Sequence, residues 1–461
     1  MNWEQLLSRT RPGEENPQTI NNINDGRSEF QRDFDRIVFS SAFRRLQDKT
    51  QVFPLPESNF VHNRLTHSLE VSCIGRSLGN IVGERVLNKR PELQSSFTKF
   101  HFGEIVAAAC LAHDIGNPPF GHSGEDAIAE YFKFGNGAQF ESLLNFSPRW
   151  NDFTKFEGNA QGFRIIVCLQ NPNVIGGLRL TAATLAAFTK YPKESFIETS
   201  NFNLLQAEQQ NKIYKKYGFF QSEKDFFIQV AKEVGLSNKS QAISSLFMCR
   251  HPLSFLVEAA DDICYRVMDL EDGFHLGLVS FKETEDLLRA LAGDSELKSY
   301  SFRDKNDRIG YLRAKALNNL VYQLADIFTD EEDNILKGSL DNELINLLPA
   351  ARILKEIKDI SIEKIYSYES VLEREAAGFE VLGGLLDIFI TAVTETANNS
   401  LSGKHKKILQ LLPDQFISKN GQPGSDLYTR LLKITDFISG MTDSFAISLF
   451  RKIKGISMAN K

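Results

Sequence analysis

With 461 residues, 42% of them hydrophobic and 24% charged, the chain has ample apolar content for one to three packed domains, which excludes disorder as its resting state. A net charge of -6 argues against a protein that coats nucleic acid or an anionic membrane, while leaving room for a local basic patch. Five cysteines, an odd number without a CxxC pair, exclude a disulfide-stapled scaffold and point to a reducing, cytoplasmic setting. The opening MNWEQLLSRTRPGEE has no secretory pattern, and the longest apolar stretch, 381–393, is short and holds Asp387, so no membrane span is expected.

An Asn-rich opening at 16–24 reads as loop, and 30–46 alternates apolar and basic residues at helical spacing, a helix with an arginine-rich side. After a Pro-bounded loop at 52–56, residues 64–87 carry His67, Val71, Ile74 and Leu78 on one helical face. A further Ala-rich helix at 103–114 is stopped by Gly116, Pro118 and Pro119. Ser123 with Asp126 three residues on reads as a capping box opening a helix at 125–132. The 252–272 segment begins with proline and is apolar on nearly every side, as a buried central helix should be. Helical periodicity continues from 281, and few β-branched alternating runs argue for a sheet. The pattern predicts an all-α protein: an N-terminal arm at 1–30, a catalytic core at 31–280, and a C-terminal helical region at 281–461 packed on it.

Five of the eight histidines fall between positions 62 and 122, His62, His67, His113 and His122 among them, and Asp114 follows His113 directly. Any one of them could be an ordinary core imidazole, but a His-Asp doublet ending a helix at a Gly-Asn-Pro-Pro turn asks for a reason. Imidazoles and carboxylates converging from rigid helices suit a divalent cation of hydrolytic enzymes. His67, His113 and Asp114 would supply three ligands, and the fourth must come from Asp261 or Asp262. Positions four apart on a helix nearly eclipse, so Asp261, Tyr265 and Asp269 form one stripe. Buried charge without partners is costly, so a metal at Asp261 and a polar ligand along Tyr265 and Asp269 would satisfy that stripe. Asp262 should point elsewhere and accept hydrogen bonds from a neighbouring element. His122 with Glu125 three residues on looks like an imidazole oriented by a carboxylate. Arg64, one turn before His67, is placed to take a phosphate oxygen.

These residues carry a family resemblance. His67, His113-Asp114 and Asp261 match the H…HD…D pattern of HD-superfamily phosphohydrolases. The words RRLQDKTQVFP, NRLTHSLEV, AHDIGNPPFGHSGE, FEGNAQGFR and EAADDICYRVMDLEDG, with a shorter echo in ISGMTD at 438–443, resemble the bacterial deoxyguanosine triphosphate triphosphohydrolases. The resemblance is dense from 36 to 275 and thin beyond. It implies a divalent metal, Mn or Mg first, with Fe, Zn, Ni or Co compatible, and acid/base roles for His122 and Glu125. It further implies that Gln51 and Val52 approach sugar and base, that Tyr265 and Asp269 read the deoxyribose, and that Asn159, Gln161 and Arg164 line the pocket. Asn117 departs from vertebrate relatives, which carry a histidine there. The implied activity is hydrolysis of a dNTP, dGTP favoured, to deoxynucleoside and inorganic triphosphate. The family also implies a homo-oligomer, hexamer or tetramer, with a deoxynucleotide effector and single-stranded DNA as further partners. Two alternatives remain at this stage: another nucleotide substrate, such as a monophosphate or alarmone, or a nucleotide-regulated single-strand DNA binder using Arg32, Arg36, Arg44 and Arg45.

Overall fold

A computed structural model describes residues 1–13, 26–52, 62–144, 147–196, 215–239, 245–293, 302–400, 402–417 and 423–456. Among them no strand forms; backbone pairing outside helices is limited to isolated bridges such as Thr50 with Asn63. The chain is all-α. The helices that position the site are α1 (Glu29–Val38), α2 (Arg64–Lys89), α3 (Lys99–Ala112), α4 (Gly121–Lys133), α5 (Gly158–Arg164), α6 (Pro252–His275), α7 (Lys305–Asp330), α8 (Glu369–Ala397), α9 (Leu427–Ser439) and α10 (Asp443–Ile453).

Each boundary has a local cause. α2 opens with a capping box between Asn63 and Thr66. α3 starts earlier than the alanine run suggests, because Thr98 and His101 form another box, and it stops with His113 as its C-cap. The arginine-rich segment at 30–46 is broken rather than continuous: α1 ends at Val38, and Ser40 caps a short helix, Ser41–Arg45, through the Phe43 N–H. The expected Ser123 cap is not used. α4 starts two residues before Ser123, at Gly121, after a left-handed Phe120, and no side chain of its own caps that end. Proline at the first position of α6 lets His251 cap Leu253 without wasting an N–H.

Two apolar cores result. The first gathers α2, α3, α6 and α7 with residues of the N-terminal arm: Trp3, Leu6 and Leu7 are buried in it, so the arm is part of the core. The second joins Ile128 and Phe132 of α4 to Leu382, Leu385 and Phe389 of α8 and to Leu431 and Leu432 of α9. α8 is long and apolar enough to cross a membrane by length and composition, yet its apolar side is buried in this second core. A cavity opens between the α2, α3 and α6 helices of the first core and α4 of the second.

Candidate active site

Three helices deliver the His/Asp cluster. α2 presents His67 from its buried face, the end of α3 presents His113 and Asp114, and α6 presents Asp261 from the expected stripe. Ligand atoms of His67, His113 and Asp114 all lie within 4.8 Å of one another. Asp261 Oδ1 lies 3.2 Å from His67 Nε2 and 3.4 Å from His113 Nε2. His113 Nδ1 donates to the Cys110 carbonyl at 2.6 Å, which turns its Nε2 inward and fixes the tautomer a metal needs. Gly116 explains the turn that follows the doublet: a Cβ there would stand 2.1 Å from the Gly158 carbonyl oxygen, so only glycine lets α5 close over the ligands. Two imidazoles and two carboxylates, with no thiolate among them, fit a borderline or hard divalent cation. HD domains are metal-dependent phosphohydrolase folds, and this donor set is compatible with that chemistry.

The electrostatics keep the two carboxylates of the cluster ionised. Burial opposes charge on Asp114, but Arg64, His113 and His67 outweigh it and hold the carboxyl well below the usual range. Arg64 donates to Asp114 Oδ2 at 2.6 Å, and Asn117 Nδ2 donates to Oδ1 at 2.6 Å. Burial likewise opposes Asp261, and Lys190, donating to Oδ2 at 2.7 Å, leads the groups that hold it far down.

The cluster floors a cavity of about 350 Å³, into which Arg64, Lys190, Lys216 and Lys358 bring positive charge. Gln51, His122, Glu125, Asn159 and Tyr265 line it too. An adjoining lobe of about 190 Å³ shares Gln51, Arg64, His122 and Tyr265 and adds Val52, Tyr366, Arg374 and Glu375. Gln51 Oε1 and Arg64 Nε are buried there without hydrogen-bond partners among the described residues, polar groups that a ligand could satisfy.

Five expectations need correction. Glu125 does not orient His122: its Oε1 accepts the Gly158 N–H at 2.7 Å, and among the described residues no hydrogen bond joins the two side chains. Gln161 and Arg164 turn away from the cavity. Gln161 donates to Asp436 at 3.0 Å, while Arg164 is bound on both sides, to Asp436 and Glu223. Asp269 lies on the Asp261 stripe, but the Tyr366 hydroxyl covers its carboxylate at 2.5 Å, leaving Tyr265 and Tyr366 as the lining groups. Asp262 also faces the cavity and makes no hydrogen bond to the described residues; its nearest cation, Arg266, is 3.9 Å away on the same helix. Burial, then Glu258 and Glu343, push Asp262 up to about 7. In the arginine-rich segment, Arg32 pairs with Glu29 at 2.8 Å and Arg36 donates to backbone carbonyls, which removes two of the four charges proposed for DNA.

Sequence reasoning missed Lys190, Tyr191, Lys216 and Lys358, isolated residues without a motif that meet only in the fold. Lys216 donates to Glu157 at 3.2 Å and stands beside His122. The protein matter around His122 chiefly, then Lys216 and Arg64, hold its imidazole below the usual value.

Residues 64–145 match the HD domain family, and residues 349–452 match the phosphohydrolase-associated domain. A deoxyguanosinetriphosphate triphosphohydrolase-like protein of Synechocystis is 47% identical, covering 99% of this chain and all of the relative. The namesake in Pseudomonas aeruginosa is 40% identical over 99% of both chains. The deoxyguanosinetriphosphate triphosphohydrolase of Yersinia enterocolitica is 30% identical over 92% of this chain and 93% of its own. The chain belongs to the dGTP triphosphohydrolase family. It is a hydrolase built on an HD domain, and the family likeness, thin to the eye after 275, runs on through the C-terminal helices.

Proposed function

We propose that this hydrolase acts in the cytoplasm on a deoxynucleoside triphosphate, dGTP first, releasing deoxynucleoside and inorganic triphosphate with a divalent ion, Mn or Mg, held by His67, His113, Asp114 and Asp261. The observation that carries the reading is the pairing of that donor set with four cations, Arg64, Lys190, Lys216 and Lys358, around one cavity. A triphosphate chain carries several negative charges, and such a row of cations suits it better than a single phosphate. The ion, when bound, supplies Lewis acidity toward the attacking water and the phosphoryl oxygens.

The chain's own residues do the rest. Lys190, Lys216 and Arg64 hold the phosphates. Water attacks the α-phosphorus, the bond from phosphorus to the 5′-oxygen breaks, His122 gives that oxygen its proton, and the proton the water gives up passes to solvent. Burial lowers His122 first, with Lys216 and Arg64 adding to it, and a bound triphosphate offsets the part due to these cations, which moves the ring toward the protonated acid. Glu125, pushed up mainly by burial, holds α4 to α5 through Gly158. Tyr265 and Tyr366, with ring centres 6.0 Å apart, wall the lobe where the sugar would lie, and a 2′-hydroxyl would crowd them. Glu375 supports guanine, because a carboxylate accepts from the N–H groups on that base's edge.

The deciding experiment is incubation with each dNTP and Mn or Mg, with products separated by ion exchange. Deoxynucleoside plus triphosphate is expected, fastest from dGTP; pyrophosphate or single phosphate as product would sink the reading.

A further inference from the structure

The ISGMTD segment at 438–443 supplies no ligand and no proton, yet its last residue is buried against the site. Asp443 is the first residue of α10 and 0% exposed. Its Oδ1 accepts the Phe120 N–H at 3.1 Å, and its Oδ2 accepts the Thr50 N–H at 3.1 Å and Arg374 at 2.8 Å. These three donors belong to three separate walls of the cavity. Thr50 precedes Gln51 and Val52, Phe120 lies two residues before His122, and Arg374 adjoins Glu375. Phe120 holds φ 66°, a left-handed conformation that a bulky residue rarely keeps unless its surroundings enforce it. No side chain caps the helix carrying His122, and Asp443 holds the residue that leads into it from across the fold. Lys49 ties the same turn a second time: its ammonium donates to the Asn117 carbonyl and, at 3.1 Å, to the Ser439 carbonyl.

We propose that Asp443 is a positioning residue for hydrolysis, fixing where His122 and the 50–52 loop stand relative to the His/Asp cluster without meeting the substrate. A buried carboxylate with three donors, one of them charged, is a stiff node, and losing it releases all three walls together. The inference rests on His122 as the proton donor.

The test compares wild type with Asp443→Asn for release of deoxynucleoside and triphosphate from dGTP, with bound metal, melting temperature and amide exchange measured on the same samples. The amide nitrogen of Asn cannot accept a hydrogen bond, so at least one tie is lost. With the fold and metal retained, kcat falls roughly tenfold or more, by more than KM changes, as misplacement of a reacting group predicts. Exchange also quickens in peptides spanning 49–52 and 118–122. A folded, metal-loaded Asp443→Asn with wild-type kcat would overturn the proposal, as would a loss that tracks metal content or melting temperature alone. If the variant does not fold, exchange in the wild type decides: protected Thr50 and Phe120 amides support the node, and unprotected ones remove it. A wild type that releases no triphosphate refutes the proposed chemistry instead, a separate failure read before any variant.

Discussion

His62 ties the entrance of α2 to the far end of α6, the helices that carry His67 and Asp261. Its Nδ1 lies 2.9 Å from both Asp272 oxygens, its Nε2 3.2 Å from Glu70, and its backbone N–H donates to Asp272 at 3.3 Å. Burial opposes charge on the ring, but Asp272 and then Glu70 outweigh it and raise His62 from 6.5 to about 10. Because the folded value lies above the unfolded one, the stabilisation is complete below about pH 6.5, declines as pH rises, and is gone above about 10. At about 1.4 kcal/mol per pH unit that span has a ceiling of about 5 kcal/mol. Glu70 is 31% exposed and screened by water, which brings the expected value to about 2 to 3 kcal/mol. Urea unfolding of wild type and His62→Gln, followed by circular dichroism from pH 6 to 10, should show the gap between them greatest at pH 6 and closing steadily. A gap that stays constant or widens with pH would refute the ion-pair account of this joint.

Three further outcomes follow from the site. Asp261→Ala should lose bound metal and activity together while the helices persist, whereas Asp262→Asn should keep metal and melt no lower than wild type at pH 8. The second expectation arises because Asp262 is raised to about 7 and its negative charge is a liability above that pH; metal lost with Asp262 and kept without Asp261 would reverse the assignment. His122→Ala should lower turnover by a factor on the order of 10² with metal content intact, and a parallel loss of metal would make His122 a ligand instead. Chelation with EDTA should abolish hydrolysis and added Mn restore it; full activity in protein shown by metal analysis to be metal-free would overturn the proposed chemistry.

What the sequence made legible, and what it hid, follows the range of the interactions. The face of α2 bearing His67 and Val71, the stop after His113-Asp114 and the Asp261 stripe of α6 are local consequences of helical period and of Gly and Pro, and the structure has them where they were expected. The start of α4 was misplaced because the left-handed Phe120, its N–H held by Asp443, turns the chain into the helix at Gly121, and Ser123 merely carries the right side chain at the wrong turn. Gln161 and Arg164 share a family-like word with Asn159, yet only Asn159 reaches the cavity; the other two are claimed by Asp436, more than 270 positions later in the chain. Lys190 and Lys216 had no signal at all, since a lone lysine acquires meaning only from the charges it meets.

The seam between the two cores divides responsibility for the site. Every member of the His/Asp cluster stands on helices of the first core, whereas α4, with His122 and Glu125, rests its apolar side on α8 of the second. On the proposed mechanism, ion retention and turnover rest on different cores, and changes in the C-terminal helices would weaken catalysis before they weaken ion binding. None of the four residues of the His/Asp cluster lies in the C-terminal third, but Leu382, Leu385 and Phe389 of α8 share one core with Ile128 and Phe132, so that third helps to seat the helix that carries His122.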